Sequence, residues 1–530
     1  MTDNRYDVII VGYGPVGEVL ANLLGKAGMR VAVYEIATGI YDLPRAVGFD
    51  AEIMRIFQSI DLVNAILPST KPLKRYEFVT GEGETLFKFD APEPPTYHHW
   101  ATNYLFYQPE LEAALQSGVD RFPNVEVHLG HEVTDIRQDA SCVEVEMRQA
   151  DTGATSTVAS DYLIGCDGAR SIARKLAGIE LDDLNFDQPW LVVDVMLKRD
   201  VTTLPWAATQ VCDPSRPTTI IPSRGNHRRW EFMLMPDDDP EEIINIDRVR
   251  ELLSPWVSPD DAEIVRHVVY TFHGLVATRW RDGRVFLAGD SAHQMPPFLG
   301  QGMCSGLRDA ANIAWKLDLV RRGAASDALL DTYEVERSPH VRSITERAMH
   351  IGSIIQTTDP EVAKLRDENF RSAAERQFTI DDDTGPIKQR MPGIADGVLM
   401  QSGDDRVGQL FPQGPVALSD GGEALLDDVI GRRFAVVAAD HAVASISGDL
   451  LKAFAHISPA YIALGSGDPP PSVDWTSAVD RTGVITKTLG DSIAVVRPDR
   501  YIYGVANDVQ ELSALAESLT RHLKESEVHA

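Results

Sequence analysis

The beginning of the chain shows two hydrophobic runs separated by glycines. Val8 to Val11 form the first run, Gly12, Gly14 and Gly17 follow, and apolar residues at helical spacing lead to a second run that ends in Glu35. Short apolar runs predict buried strands, whereas a three- to four-residue spacing predicts a helix. The pattern therefore predicts a strand, a tight turn, a helix and a parallel second strand.

This strand–turn–helix unit has the features that a bound dinucleotide requires. The first glycine permits the sharp turn, the second lets the backbone approach a pyrophosphate, and the third allows close packing of helix and strand. Pro15 and Val16 open the helix, whose free N–H groups and positive dipole end favour anions. The Glu35 carboxylate can accept hydrogen bonds from ribose hydroxyls but would repel a 2′-phosphate. The unit predicts FAD or NAD rather than NADPH here; a flexible glycine turn without a ligand is the alternative.

Two later strands also end beside glycine and an acidic residue. Tyr162 to Cys166 lead to Asp167-Gly168, and Val285 to Ala288 lead to Gly289-Asp290. Ligands of open α/β sheets bind at the carboxyl ends of the strands. A proline- and glycine-rich loop follows Asp290 and leads into a helix, so its backbone N–H groups can stabilise negative charge on a phosphate or on a planar ring system.

Alternating residues predict a sheet of a second kind. Short alternating runs occupy 76–102, and 181–272 is rich in strands, in one of which Leu191, Val193, Val195 and Leu197 take alternate positions. Such alternation predicts an antiparallel sheet with one buried face. The stretch 378–397 is rich in Asp, Gly and Pro and is predicted to be a linker, and a smaller unit begins at about residue 395.

Composition and charge narrow the function. The 530 residues carry a net charge of −29 and are 44% hydrophobic, which is typical of a globular protein and argues against nucleic acid or an anionic membrane surface as partner. The sequence has no apolar run of membrane-spanning length, and the first strand leaves no room for a signal peptide, so we expect a cytoplasmic protein. The cysteines lack metal or disulfide spacing, and no metal site is predicted; they are Cys142, Cys166, Cys212 and Cys304.

Three motifs in this order resemble the FAD-dependent aromatic-ring hydroxylases, which are single-component flavoprotein monooxygenases. They are VGYGPVG at 11–17, LIGCDGARS at 163–171 and RVFLAGDSAHQMPPFLGQGMCSGLRDAANIAWKL at 284–317. Within the family, the likeness is to the phenol hydroxylases and the 3-(3-hydroxyphenyl)propionate hydroxylases. One departure is Cys304, which stands where many members have Asn.

The resemblance implies an α/β fold with three domains. A Rossmann-like FAD-binding domain would comprise 1–75, 103–180 and 273–390, and an antiparallel-sheet substrate domain would comprise 76–102 and 181–272. A thioredoxin-like domain would occupy 395–530. Because no cysteine follows Cys304, that last domain cannot carry out dithiol chemistry and is expected to serve packing or dimerisation.

The resemblance also implies roles for individual residues. Glu35 would bind the FAD ribose, and Val133 would contact adenine through its backbone. Asp167 would serve both FAD binding and the reaction with NAD(P)H. Arg45 and Gln108 would contact the pyrophosphate and ribityl chain, and Gly289 and Asp290 would contact a ribityl hydroxyl. Flavin N1 and the C2 carbonyl would be contacted by Pro297, Gly300, Gly302 and Met303.

In this family NADH or NADPH reduces FAD, O₂ adds at flavin C4a, and the terminal peroxide oxygen is transferred to a ring carbon activated by an ortho or para hydroxyl. A free phenol has a pKa of about 10, so a base is expected near it. Asp50, His98 and His99 are the candidates, although Asp50 can equally be a solvated first-turn acid and each histidine a packed loop residue. His293 is expected to be structural.

The sequence thus predicts a hydroxylase of a small aromatic substrate in aromatic catabolism, with a phenolic acid as the leading substrate. The oligomeric state stays open, with a homodimer as one possibility. The alternative is a tailoring enzyme of the epoxidase or Baeyer–Villiger type that acts on a polyketide-like or heteroaromatic substrate. A non-catalytic binder with the same nucleotide fold is disfavoured by the intact Gly-Asp motif. The choice between NADH and NADPH stays open.

Overall fold

The computed structural model describes residues 5–375, 391–465 and 473–524. Most of the predicted linker 378–397 lies outside these residues. Among the described helices, none combines the length and the apolar character needed to cross a bilayer.

The first sheet contains the predicted strand–helix–strand unit. Its parallel core pairs Tyr6–Val11 with Val31–Glu35 on one side and with the long strand Thr155–Gly165 on the other. The helix Pro15–Lys26 packs against it and against Gly302–Arg321. The other strands of this sheet are Val125–Leu129, His131–Gln138, Val143–Gln149, Arg281–Asp282 and Val285–Leu287.

The second sheet confirms the predicted alternation. Its central strands Leu181–Leu197 and Ala262–Ala277 run antiparallel, and His227–Met233 pairs with the former. The further strands in sheet order are Thr218–Ile221, Ala208–Val211, Arg75–Val79 and Thr85–Asp90, with His293–Gln294 at the opposite edge. One face buries apolar side chains against the helices Pro240–Ile243 and Ile246–Leu253. The other face is therefore turned toward the first sheet and its loops.

Helices connect these sheets and cover them. The described helices outside the C-terminal unit, beyond those already named, are Ala51–Ser59, Val63–Ile66, Gln108–Val119, Ile172–Leu176, Thr332–Ile355 and Pro360–Glu375. Short 3₁₀ turns lie at Leu67–Ser69, Gly289–Ser291, Pro297–Leu299 and Asp327–Asp331. A small sheet joins Gly48–Asp50, Asn103–Leu105 and Lys71–Pro72.

The C-terminal unit is a third, mixed sheet. Parallel strands Ala435–Ala439, Ala460–Leu464 and Trp475–Asp480 are extended by the antiparallel pair Ile493–Val496 and Ile502–Ala506. The strands Pro415–Leu418 and Glu423–Leu425 complete the other edge. Its helical segments are Leu426–Ile430, Asp440–Val443, Gly448–Lys452, Ala455–Ile457, Val484–Leu489 and Val509–Lys524. Trp315 and Leu319 of the long helix pack into its core, so the unit is joined to the rest by apolar contact.

Candidate active site

The first glycine turn leaves space at one position only. A side chain on Gly17 would lie 2.1 Å from the Gly12 carbonyl oxygen, and one on Gly12, whose φ is +99°, would lie 2.5 Å from the Cys166 carbonyl oxygen. A Cβ on Gly14 would meet nothing within 4 Å. The outer glycines are thus required by packing, whereas free space lies over Gly14 at the helix N-terminus.

The three sequence motifs meet at this turn. Gly12 packs against Cys166 and Asp167, and Val16 lies against Gly289, where an added Cβ would come within 2.9 Å of its side chain. The strands that carry these motifs are neighbours in one parallel sheet, because Thr155–Gly165 pairs with Tyr6–Val11 and with Val285–Leu287. Their carboxyl ends therefore form one cleft, which we call the cofactor cleft and define by Gly14, Glu35, Arg45, Asp167 and Asp290.

Glu35 is oriented by the backbone around it. Its two carboxylate oxygens accept hydrogen bonds from the N–H groups of Tyr13 and Ala37, each at 2.7 Å. These bonds hold the carboxylate at the end of its strand and beside the glycine turn. Val133 is buried in the same sheet opposite Met147, and its contact with adenine stays a prediction.

Arg45 and Asp290 are close enough for their charges to interact. The Gln108 side-chain oxygen accepts hydrogen bonds from the N–H groups of Arg45 (2.9 Å) and Ala46 (2.8 Å) and so shapes the Arg45 loop. The Asp290 side chain is accessible, but the walls of the cleft desolvate it and raise its pKa, an effect that the nearby His293 and Arg45 partly offset. An accessible carboxylate deep in a cleft is suited to accept a hydroxyl group.

Asp167 organises the next helix. It accepts hydrogen bonds from the Ser171 hydroxyl (2.5 Å) and from the Ile172 (2.7 Å) and Ala173 (3.0 Å) N–H groups. Burial raises the pKa of this carboxyl, and these bonds oppose the shift. Asp167 thereby fixes the backbone that faces Gly12.

The predicted flavin-ring loop is a tight turn. Pro297–Leu299 forms a 3₁₀ turn, Gly300 adopts φ +65°, and the helix Gly302–Arg321 starts directly afterwards. Met303 is partly buried in the first turn of that helix. His293 contacts Asp309 at 2.8 Å and stacks on Trp280, which is the structural position expected for it.

Asp50 lies beside this turn with both carboxylate oxygens engaged. One caps the helix Ala51–Ser59 by accepting the Glu52 (3.1 Å) and Ile53 (3.2 Å) N–H groups. The other accepts the Gln301 amide at 3.1 Å and forms a buried ion pair with Arg308. These contacts give Asp50 a structural task, and its role as the base stays a prediction.

The two loop histidines lie at the contact with the C-terminal unit. Burial and then the Arg55 charge lower the pKa of His98 to about 3, and its ring Nδ1 lies 3.0 Å from Arg55. His99 has φ +71° and packs edge-on against Trp100, and burial lowers its pKa. With a pKa of about 3, His98 is a weak base at neutral pH. The role of His99 as the base stays a prediction.

A charged patch on the second sheet was not predicted from the sequence. We call it the sheet wall and define it by Asp194, Arg229, Glu231 and Arg266. Arg229 donates to Asp194 at 2.8 Å, to the Pro44 carbonyl at 2.6 Å and to the Arg45 carbonyl at 2.7 Å. Arg266 donates to the Pro44 carbonyl at 2.6 Å. The wall therefore holds the Arg45 loop of the cofactor cleft.

A signal for the sheet wall was present in the sequence. Arg229 and Glu231 alternate with Trp230 and Phe232, and Asp194 interrupts an apolar strand between Val193 and Val195. Charged residues at every second position of a strand whose other face is buried must share one face.

The cofactor cleft fits a dinucleotide with a flavin. It combines open space over Gly14 at a helix N-terminus, an oriented carboxylate at Glu35 and an accessible one at Asp290. A phosphate group favours the first position and hydroxyl groups favour the other two. Among the described residues, no group of three or more His, Cys, Asp or Glu side chains is placed to hold a metal ion.

Fold and site thus define a dinucleotide-binding flavoprotein, and family comparison makes this specific. The model of the FAD binding domain family matches residues 5–348, and that of the HcaD C-terminal domain matches residues 408–522. The chain belongs to the FAD-dependent aromatic-ring hydroxylases, as the three motifs predict, and is an FAD-dependent NAD(P)H monooxygenase.

Two curated relatives cover nearly the whole chain. A probable NADH-specific resorcinol 4-hydroxylase of Rhodococcus jostii is 40% identical, covering 97% of this chain and 94% of its own. A 3-(3-hydroxy-phenyl)propionate/3-hydroxycinnamic acid hydroxylase of Mycolicibacterium smegmatis is 37% identical, covering 96% and 92%.

Solved structures share the fold. The flavin-dependent monooxygenase PieE, in complex with FAD and substrate, has a TM-score of 0.82 at 23% identity and covers 99% of this chain and 100% of its own. The anhydrotetracycline hydroxylase OxyS of Streptomyces rimosus has a TM-score of 0.73 at 26% identity and covers 98% and 99%.

Proposed function

We propose that this enzyme hydroxylates a phenol at a ring carbon ortho or para to the phenolic hydroxyl, in aromatic catabolism, with NADH as reductant. The observation that carries the proposal is the aromatic cluster beside the predicted flavin turn. Phe298 of that turn contacts Trp190 at 5.5 Å and Phe272 at 6.3 Å between ring centroids. An aromatic substrate would find apolar ring surfaces there, next to the cofactor cleft.

FAD would be held by residues that the motifs mark. Gly12, Gly14, Pro15, Val16 and Gly17 would bind the pyrophosphate at the helix N-terminus. Glu35, Val133, Arg45, Gln108 and Asp167 would hold the nucleotide side, and Gly289, Asp290, Pro297, Gly300, Gly302 and Met303 the flavin side. When bound, FAD supplies the redox chemistry, while the protein supplies orientation, charge and exclusion of water.

The names of the relatives support NADH and a phenol. Resorcinol carries two hydroxyl groups, whereas 3-(3-hydroxyphenyl)propionate, the phenolic acid expected from the sequence, carries one hydroxyl and a carboxylate. Both belong to the proposed class. We further propose the domain boundaries given above, a thioredoxin-like C-terminal domain with a packing or dimerisation role, and a cytoplasmic location.

The test measures NADH and NADPH oxidation by the FAD-loaded protein with resorcinol, 3-(3-hydroxyphenyl)propionate and N-heteroaromatic phenols. Hydroxylated product and hydrogen peroxide are quantified together. Strong stimulation with product and little peroxide is expected for at least one phenol. If FAD is bound but no phenol stimulates oxidation, the proposal fails and the tailoring alternative takes its place.

A further inference from the structure

The sheet wall contains one carboxylate that has only a long ion-pair contact and no hydrogen-bond donor among the described residues. Glu231 is 5% exposed, and in the described part of the chain no hydrogen-bond donor reaches its oxygens. The nearest cation is Arg229, whose Nη1 lies 4.0 Å from Oε1. Buried polar groups in proteins are normally hydrogen-bonded, so an exception needs an explanation.

The neighbouring charges are already engaged elsewhere. Arg229 donates to Asp194 and to two backbone carbonyls, and Arg266 donates to the Pro44 carbonyl and lies 3.6 Å from Asp194. Asp194 also contacts His227 at 2.9 Å. Thr219, the residue opposite Glu231 on the adjacent strand, donates its hydroxyl to Gln210. These contacts of Arg229, Arg266 and Thr219 leave Glu231 without a hydrogen-bond donor among them.

Glu231 lies on the strand between the Arg45 loop and the aromatic cluster proposed to contact the substrate. Side chains two residues apart on a strand lie on the same face. Two residues before Glu231, Arg229 holds the Arg45 loop, and two residues after it, Met233 packs in the aromatic cluster with Trp190 and Phe298. Glu231 thus lies between the two segments that are expected to flank the flavin.

We propose that Glu231 binds the phenolic hydroxyl group of the substrate and accepts its proton. The inference rests on the proposed function and names a residue of the same site. The O–H bond of the phenol breaks, the proton moves to a carboxylate oxygen of Glu231, and the electron pair stays on the phenol oxygen, which makes the ortho and para carbons more nucleophilic. Burial raises the pKa of Glu231 to about 7, with Arg229 opposing the shift, and such a value suits a base at neutral pH.

The same arrangement favours a neutral phenol over a phenolic acid. On the sheet wall the two arginines are balanced by Asp194 and by backbone carbonyls, so a substrate carboxylate placed there meets Glu231 without a free cation. Resorcinol-type substrates avoid this repulsion, and their second hydroxyl adds a hydrogen-bond donor.

The experiment compares wild-type protein with Glu231→Gln, which keeps the side-chain shape but cannot take a proton. Resorcinol binding is titrated through the absorbance of bound FAD between pH 5.5 and 8.5. We expect the variant to bind at least tenfold more weakly at pH 8 and to lose the pH dependence of binding. The groups that face Glu231 and share in this dependence are Arg229 on its own strand, Asp194 on the adjacent strand, Arg266 one strand further, and His227, which contacts Asp194.

Two further variants separate the causes. Glu231→Asp keeps the charge on a shorter side chain, and its affinity for resorcinol should be intermediate. Glu263 is an exposed carboxylate two strands away in the same sheet, and Glu263→Gln should behave as wild type. FAD content and melting temperature establish that each variant is folded. If Glu231→Gln binds resorcinol with wild-type affinity and pH profile while wild type hydroxylates phenols, the Glu231 inference is overturned alone. If wild type hydroxylates no phenol, the proposed function itself fails.

The preference between substrates is measured in the same series. Wild type should show a higher kcat/KM for resorcinol than for 3-(3-hydroxyphenyl)propionate. In Glu231→Gln the ratio of these two kcat/KM values should be at least tenfold smaller. A higher kcat/KM for the phenolic acid in wild type would overturn the inferred substrate class.

Discussion

The cofactor cleft with its sheet wall and the contact with the C-terminal unit are both rich in buried charge, but they treat that charge differently. At the C-terminal contact, Asp427 binds Arg55 at 2.8 Å and Arg500 at 3.1 Å, and Tyr501 donates to Glu52 at 2.9 Å. In the cleft and wall, Asp290 stays accessible, Gly14 has free space and Glu231 has no donor. A buried carboxylate held by two arginines indicates assembly, whereas a carboxylate without a hydrogen-bond donor indicates a place for a ligand.

The largest effect on stability is expected from removal of the Asp427 carboxylate at the contact with the C-terminal unit. Asp427→Ala would leave Arg55 and Arg500 buried without their common partner, since all three side chains are less than a tenth exposed. Loss of one partner of a buried pair costs about 3–5 kcal/mol. Urea unfolding should register this loss, and a change below about 1 kcal/mol would mean that the contact is not held by these charges.

Removal of the Glu231 charge from the sheet wall should have the opposite effect on stability. Glu231→Gln is expected to stabilise the folded protein, because the pKa of Glu231 rises from 4.5 to about 7 on folding. Below pH 4.5 both residues are neutral in both states, so wild type and variant should be equally stable. Between pH 4.5 and 7 the Glu231 carboxyl ionises in the unfolded chain but stays protonated in the folded one. Wild type therefore loses stability as the pH rises, by about 3 kcal/mol at most above pH 7. Melting temperatures from pH 4.5 to 8.5 test this, and a stability difference independent of pH contradicts it.

Within the glycine turn, Gly14 is expected to serve ligand binding and Gly17 to serve packing. Gly14→Ala should leave the melting temperature of the FAD-free protein unchanged, because its Cβ meets no atom within 4 Å, yet weaken FAD binding at least tenfold by occupying the space for the pyrophosphate. Gly17→Ala should destabilise the fold itself by about 1–3 kcal/mol, because its Cβ would lie 2.1 Å from a carbonyl oxygen. Fluorescence titration with FAD and thermal unfolding distinguish the two effects. An unchanged FAD affinity in Gly14→Ala would remove the pyrophosphate from this position.

The smallest effect of these substitutions is expected at Asp428, the residue that follows Asp427. Asp428 is exposed and accepts one hydrogen bond, from Gln58 at 2.8 Å. Asp428→Asn should therefore change the unfolding free energy by less than about 1 kcal/mol. It serves as the matched control for Asp427→Ala, and equal losses in the two variants would show that burial does not set their cost.

The sequence was most informative where structure is local. The first strand, glycine turn and helix follow from contiguous residues, and the structure has them at Tyr6–Val11 and Pro15–Lys26. The candidate bases were harder to judge, because the partners of Asp50 and His98 come from elsewhere. Arg308 is 258 residues from Asp50 in the sequence. Glu231 is left without a donor because Arg229 reaches Pro44, 185 residues away, which no local pattern records.

The link between Arg55 and Asp427 also has a consequence for biosynthesis. The two residues are 372 positions apart, so at about 5–20 residues per second the ribosome needs roughly 20–70 s to supply the carboxylate after the arginine. During that interval the helix Ala51–Ser59 carries a guanidinium whose buried partner has not yet been made. The native environment of Arg55 can therefore form only after the C-terminal unit has been synthesised.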